Sequence, residues 1–318
     1  MDGSNDTIAI IGAGMAGLAC ATQLSAAGKR VALFDKGRGP GGRMAARRSE
    51  IAGKTVGFDH GAQYFTVRDL AFKQVVRAWH KLGVVAPWPA AGDEVWVGLP
   101  GMNGPIRAMA SKLDVRWGTR IETVEWVEGE QCWELTFDGG RERFSGFVCA
   151  VPAEQAGDLL SNAAPEFSAS ARAIKSDPCW AVMAAFAEPL SLGDVVRSRD
   201  GAIAWAARNS AKPARAGEEC WVLHASPTRS GEVIDLPKEE AAQVLLADFF
   251  DQTGIAPIEP IHLASHRWLY AKPEITSPQV FLWDANIRAG VCGDWLVEAR
   301  VEGAWLSGAK LGEAMLAS

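Results

Sequence analysis

The sequence predicts an α/β fold: a parallel sheet wound with helices, joined to a second layer of mixed antiparallel sheet and helices. Three observations predict it. An uncharged, β-branched run at 7–11 leads straight into three spaced glycines and an Ala- and Leu-rich stretch. A second apolar run at 30–34 ends in an acid, and short apolar runs broken by Pro, Gly, Ser and Asp fill the middle of the chain. Strand, helix, strand in quick succession indicates a parallel unit, whereas many short strands between turn residues indicate an antiparallel one.

Taken in order, Thr7 to Ile11 is a strand buried on both faces, since it carries no charge. Gly12-Ala13-Gly14-Met15-Ala16-Gly17 follows at once, then a helix over 18–27 that Gly28 stops. Gly12 permits a tight turn, Gly14 lets the backbone approach a pyrophosphate, and Gly17 lets the helix sit against the strand. The free N–H groups of the helix start then face an anion. Asp35 ends the second strand, 23 positions after Gly12, where its carboxylate can accept hydrogen bonds from a ribose. Glycines, strands, helix and acid in register predict a Rossmann-type dinucleotide site, without separating NAD from FAD.

The chain has 318 residues, 48% hydrophobic and 22% charged, a length that predicts two domains. Its 32 Lys and Arg against 38 Asp and Glu give a net charge of −6, which argues against nucleic acid as a partner. No apolar stretch approaches a membrane span, and residues 1–6 are polar rather than signal-like, so a cytoplasmic protein without a membrane partner is expected. The six cysteines are scattered with no Cys-x-x-Cys pair and read as buried thiols, which excludes a vicinal redox disulfide and a zinc ribbon. His262 and His266 stand four apart, but Pro260 and Ile261 favour an extended start there and the intervening residues include no carboxylate, so no metal is assigned. Thirteen Trp against two Tyr are explained by large core side chains or by an aromatic-lined cavity.

After Asp35 the chain reads Lys36-Gly37-Arg38-Gly39-Pro40-Gly41-Gly42-Arg43-Met44, a glycine-rich loop with a guanidinium able to wrap a pyrophosphate from its other side. This extension resembles the amine-oxidase-like branch of FAD proteins. With Arg47-Arg48 and Phe58-Asp59-His60-Gly61-Ala62-Gln63-Tyr64-Phe65 it is similar to the renalase-like members. The resemblance implies non-covalent FAD and a two-domain architecture of the amine-oxidase or p-hydroxybenzoate-hydroxylase type. It extends through Gly101-Met102-Asn103-Gly104 and 115–121, where the residue at the Ile121 position would lie by the adenine. It reaches Gly290-Val291-Cys292-Gly293-Asp294-Trp295 and Val301-Glu302-Gly303-Ala304. There Asp294 would bond the ribityl and phosphate portion, and N–H groups near Gly303 and Ala304 would face the pyrimidine edge of the flavin. The cofactor-binding set is thus Gly12, Gly14, Met15, Ala16, Gly17, Asp35, Lys36, Gly42, Arg43, Met44, His60, Gly61, Ala62, Gln63, Ile121, Asp294, Val301, Gly303 and Ala304.

Residues 124–144 read as a hairpin region turning at Asp138-Gly139-Gly140, and 147–151 as a buried strand. The expected division is a discontinuous FAD-binding domain of residues 1–74, 101–155 and 284–318, with a substrate domain of 75–100 and 156–283. Trp268, Tyr270 and Trp283 are candidates for a ring pocket, and His224, His266 and Arg267 for contacts to carboxamide or phosphate. No acid or base is assigned, and there is no second nucleotide fingerprint.

A dihydropyridine becomes aromatic on losing hydride and needs no base, whereas an alkylammonium must first lose a proton. The resemblance points the same way. It implies an oxidase that takes hydride from 1,2- and 1,6-dihydro isomers of NAD(P)H, giving NAD(P)+, with O2 as acceptor and H2O2 as product. An amine oxidase or desaturase on the same scaffold, or a flavin-binding module without turnover, are the other expectations.

Overall fold

The computed structural model describes residues 6–215, 217–275 and 278–318. From the amino end, β1 (Thr7–Ile11), α1 (Met15–Ala26) and β2 (Arg30–Asp35) form the expected parallel unit. Gly12 turns the chain at φ +102°, so α1 starts at Met15, three residues ahead of the Ala- and Leu-rich run. The hairpin β3 (Arg47–Ile51) and β4 (Lys54–Phe58) comes next, then β5 (Phe65–Thr66) and α2 (Leu70–Lys81). Asp69 caps α2, its carboxylate accepting from the N–H groups of Ala71 and Phe72. β6 (Val85–Pro87), β7 (Val95–Gly98), α3 (Gly104–Ala110) and β8 (Val115–Trp117) lead to β9 (Ile121–Val127). β10 (Cys132–Phe137) and β11 (Gly140–Phe144) turn at the expected glycines, and β12 (Gly146–Cys149) is buried throughout.

After α4 (Ala153–Leu159) and α5 (Pro165–Arg172) comes the long β13 (Lys175–Phe186), then β14 (Val195–Arg197), β15 (Ile203–Arg208) and β16 (Glu219–Ala225). α6 (Pro227–Glu232) and α7 (Lys238–Thr253) precede β17 (His262–Glu274), β18 (Leu282–Asp284), β19 (Ala289–Val291) and α8 (Val301–Ala317).

Six strands form one sheet in the order β18-β19-β12-β1-β2-β8, parallel except at the β18–β19 edge. Five others form an antiparallel sheet, β14-β15-β16-β13-β17. α7 covers one face of this second sheet, where Leu245, Leu246, Phe249 and Phe250 pack on Trp180, Val182 and Trp221. The β3–β4 hairpin lies on the other face, where Ile51 and Phe58 join Met183, Cys220 and Val222. The first and last helices meet so closely that a Cβ on Gly308 would fall 1.9 Å from the carbonyl oxygen of Ala16. The starts of both helices thereby lie at the carboxyl edge of the parallel strands.

Two segments lie where the two halves of the chain meet. Val76, Trp79, Val85, Val95 and Val97 enter the same core as Leu18, Leu24 and Leu311, so 75–100 packs on α1 and α8 and not on the second sheet alone. The six-stranded sheet also reaches back to Leu282, two residues ahead of the expected boundary. Among the described residues no helix is long and apolar enough to cross a membrane.

Candidate active site

A cradle of backbone forms where β1, β2 and the carboxyl-terminal helix converge. A Cβ on Gly17 would fall 2.0 Å from the Gly12 carbonyl oxygen, which is the close helix-to-strand approach the sequence implies. Gly14 has nothing within 4 Å of its Cβ position, and Gly42 has only the Gly14 Cα, at 3.6 Å. Gly42 thus packs close to Gly14, whose own Cβ position opens onto free space. No side chain caps α1, so its first N–H groups stay free for an anion.

Asp35 closes this turn from the side. Its carboxylate accepts from the N–H of Ala13 at 2.8 Å and of Gly37 at 2.7 Å, leaving further lone pairs for a hydroxyl. Lys36 reaches across to Gln155 Oε1 at 2.9 Å. The N–H of Thr119 donates to the Asp35 carbonyl at 2.9 Å, which puts the start of β9 and its buried Ile121 beside the acid.

Gly42, Arg43 and Met44 make a short 3-10 turn. Arg43 donates to both carboxylate oxygens of buried Asp294, at 2.8 and 2.5 Å. Its carbonyl accepts from Ala62 N at 2.8 Å, and a Cβ on Gly61 would fall 2.1 Å from the same oxygen, so the 60–63 loop lies directly under the turn. At the start of α8, Val301, Gly303 and Ala304 follow Arg300, with no side-chain cap. Buried Glu302 instead accepts from the N–H groups of Arg68 and Asp69, both at 2.7 Å, and ties the helix to the segment ahead of α2.

The other half of the site comes from β16 and β17. Trp268 donates its indole N–H to the His60 carbonyl at 2.8 Å and stacks on the His60 ring, centroids 5.2 Å apart. His266 meets both rings edge-on, 4.4 Å from Trp268 and 5.0 Å from His60. His224 Nε2 lies 3.4 Å from the Gln63 side-chain nitrogen, which has only hydrogens to offer, so His224 is the acceptor. His60 Nδ1 is buried with no partner among the described residues, an orphaned polar atom that a ligand could satisfy.

Beneath this cluster lies a charge group that sequence reasoning missed. Buried Asp59 receives Arg215 Nε at 2.8 Å, Lys212 Nζ at 3.3 Å and the N–H of Met102 at 2.8 Å. Lys212 also donates to Gln63 Oε1 at 3.0 Å and lies over the Trp88 ring. Two buried cations therefore share one carboxylate. Burial lowers the Lys212 ammonium to a pKa of about 8, opposed by Asp59 and reinforced by Arg215.

The imidazoles feel the same sign of field. Burial pushes His60 down to about 4, with His266 and Arg47 adding to it. Burial and then Lys212 lower His224 to about 4 as well. His262 is lowered by burial and Arg47, and His266 by burial, Lys238 and Arg47. The charged side chains that lower these rings, Arg47, Lys212 and Lys238, are cationic.

Not all predicted pocket residues gather here. Arg267 projects from the opposite face of β17, donating to the Ile234 carbonyl and lying over Trp180. Trp283 sits on β18 opposite Gly290, packed with the core of α1 and α8, its indole N–H buried without a partner among the described residues. Tyr270 lies where the β13–β17 register shifts, two residues beyond the cluster. Asp59 stood within a quoted motif, but Lys212 and Arg215 carried no motif at all.

The residues present fit a flavin dinucleotide, on the open glycine cradle, the uncapped helix and the Arg43–Asp294 clamp. The comparisons agree. Residues 10–79 match the NAD(P)-binding Rossmann-like domain family, and 89–314 match the family described as flavin containing amine oxidoreductase. The fold resembles that of a putative protoporphyrinogen oxidase from Exiguobacterium sp. 255-15, with TM-score 0.75 and 13% identity, covering 99% of this chain and 100% of that one. It also resembles putrescine oxidase bound to putrescine, with TM-score 0.64 and 15% identity over 99% of each chain. Cyclohexylamine oxidase from Brevibacterium oxydans IH-35A gives TM-score 0.62 and 11% identity over 98% of each. Since the matched family spans well over half of the chain, this protein belongs to the flavin-containing amine oxidoreductases and is an FAD-dependent oxidoreductase.

Proposed function

We propose that this enzyme is a renalase-type oxidase, taking hydride from 1,2- and 1,6-dihydro isomers of NAD(P)H to give NAD(P)+. The observation that carries this reading is the charge around the histidine–tryptophan cluster. Arg47, Lys212 and Lys238 oppose protonation of these histidines, and buried Lys212 and Arg215 share the one carboxylate of Asp59. A protonated amine entering such a site loses water and meets cations, whereas a neutral dihydropyridine bearing phosphates is attracted.

The remaining chemistry follows from the substrate. FAD supplies a ring that accepts the hydride, and O2 with one further proton takes the electron pair on as H2O2. The chain itself needs no base, because loss of hydride leaves an aromatic cation. His60, His266 and Trp268 pack into an aromatic wall on which a planar ring would lie. Their work is to orient the ring within hydride distance and to exclude water. Residues 1–74, 101–155 and 284–318 would supply the cofactor contacts without a covalent bond. Residues 75–100 and 156–283 would supply the substrate side.

The reading is tested by aerobic turnover of 1,6-dihydro-NAD beside a panel of primary and secondary amines, with peroxide and NAD+ measured together. Equal amounts of peroxide and NAD+ from the isomer, and none from amines, support it. Peroxide from an amine alone would make the enzyme an amine oxidase. Peroxide from neither would favour a flavin-binding module.

A further inference from the structure

Gln63 is buried, and the groups that bind its amide are of kinds that cannot exchange donor and acceptor roles. Lys212 Nζ has hydrogens to give and, as an ammonium, nothing with which to accept, and it donates to Gln63 Oε1 at 3.0 Å. The amide nitrogen donates to the carbonyls of Asp59 and Gly61, the latter at 3.1 Å, and those oxygens only accept. Turning the amide over would set its NH2 against an ammonium and its oxygen against two carbonyl oxygens. Its orientation is therefore fixed by three partners at once, none of them His224.

The segment that carries Lys212 delivers it to this place. After β15 the chain makes a short turn at Asn209–Ala211. The Asn209 side chain donates to the Gly57 carbonyl at 2.8 Å and accepts from the N–H of Asp59 at 3.2 Å, which pins this loop onto 57–59. Lys212 and Arg215 then share the buried Asp59 carboxylate, leaving one positive charge in excess.

The same NH2 of Gln63 faces His224 Nε2 at 3.4 Å. A hydrogen on that ring nitrogen would point at a group that cannot accept it, so Nε2 is bare and the neutral ring carries its hydrogen on Nδ1. Protonating the ring would require the amide to turn against all three of its partners. The charged and titratable groups near His224 do not favour that proton either: Lys212 with Arg215 and Asp59 behind it, and the neutral His60. Its strand partners in the sheet, Ala181 and Trp205, carry no charge. Burial and Lys212 hold the ring down at about 4, in line with this geometry.

We infer that Lys212 and Gln63 are positioning residues that hold His224 as a neutral ring with its hydrogen on Nδ1. His224 then can donate a hydrogen bond but takes up no proton at Nε2, so it is neither general base nor general acid in flavin reduction. The inference is independent of which substrate the enzyme oxidises.

The test is proton–nitrogen correlation spectroscopy of the FAD-loaded enzyme labelled with nitrogen-15 in histidine. There are five histidines, and the His224 ring is identified by its loss in His224→Gln. At pH 7 Lys212, with its value of about 8, keeps its proton, and the native His224 ring should show a protonated Nδ1 and a bare Nε2. It should not titrate between about pH 8 and 5. Gln63→Glu sets an acceptor against Nε2, so the hydrogen should move there and the midpoint of the ring should rise by about 1 pH unit or more. Gln63→Met offers neither donor nor acceptor, and Lys212→Met leaves the amide oxygen without its donor, so both should show the two neutral tautomers mixed. Unchanged resonances of His80, whose Nδ1 lies 3.1 Å from the Val85 carbonyl, verify that the variants fold. The pH profile of kcat/KM for whichever substrate bleaches the flavin should lack an ionisation of His224 in the native enzyme and gain one in Gln63→Glu. A native ring protonated at Nε2, or one that titrates between about pH 5 and 8, overturns the inference. A native tautomer kept in Gln63→Met overturns the role of the amide, and one kept in Lys212→Met overturns that of the lysine.

Discussion

Arg43 and Asp294, 251 positions apart, meet in a two-pronged ion pair at 2.8 and 2.5 Å. The pair joins the glycine-rich extension of the first strand–helix unit to the 3-10 turn ahead of the last helix. It stands where the glycine cradle opens, so it fixes the distance between the two ends of the chain that are assigned to FAD.

Asp294→Asn keeps the shape but removes the charge, and a charge-assisted bond contributes about 1.5–3 kcal/mol. Flavin retention, read as 450 nm absorbance after dialysis, should fall about ten- to a hundredfold in affinity. Asp35→Ala should do the same by loosening the Gly12 turn, which its carboxylate holds through Ala13 and Gly37.

The buried charge group should respond asymmetrically. Asp59→Asn strands Lys212 and Arg215 without an anion, at a cost of about 3–5 kcal/mol. Lys212→Met leaves Asp59 still paired with Arg215 and removes the surplus cation, so its loss should be clearly smaller. Denaturant midpoints of the two variants check the order.

Trp268→Ala removes both part of the aromatic wall and the bond to the His60 carbonyl. Rapid-mixing rates of flavin reduction should fall by more than tenfold, with FAD occupancy little changed. Trp268→Phe keeps an aromatic ring but not the N–H, and should fall between.

Acid should weaken the fold through the histidines. His60 and His224 titrate near 4 in the folded chain against an ordinary value of 6.5, so between those values the unfolded chain binds more protons. Stability therefore rises with pH across that window and is lost as pH falls from about 6.5 towards 4, by about 3 kcal/mol for His60. Thermal midpoints measured from pH 7 down to 4 should show the loss, and His60→Gln should flatten part of it.

The nucleotide-binding half was legible because its signals are local. Gly12, Gly14, Gly17 and Asp35 act through backbone geometry within one strand–helix–strand unit, and the sequence places them in order. The substrate half was not, because its contacts are long-range: residues 59–63 meet 209–215, 224 and 266–268. Lys212 reads as a surface lysine until its neighbours are known. Arg267 was separable in principle, since strand alternation places it opposite His266 and Trp268, but only once 262–274 is known to be one continuous strand. Trp283 belonged to a three-residue edge strand too short for its pattern to assign it to either sheet.

The most direct measurement is anaerobic mixing of the purified, FAD-loaded enzyme with 1,2- or 1,6-dihydro-NAD while the flavin spectrum is followed. Bleaching within seconds by the isomers, with one NAD+ formed per flavin and no bleaching by amines, is the predicted result. A flavin that stays oxidised with both isomers but bleaches with an amine would contradict it.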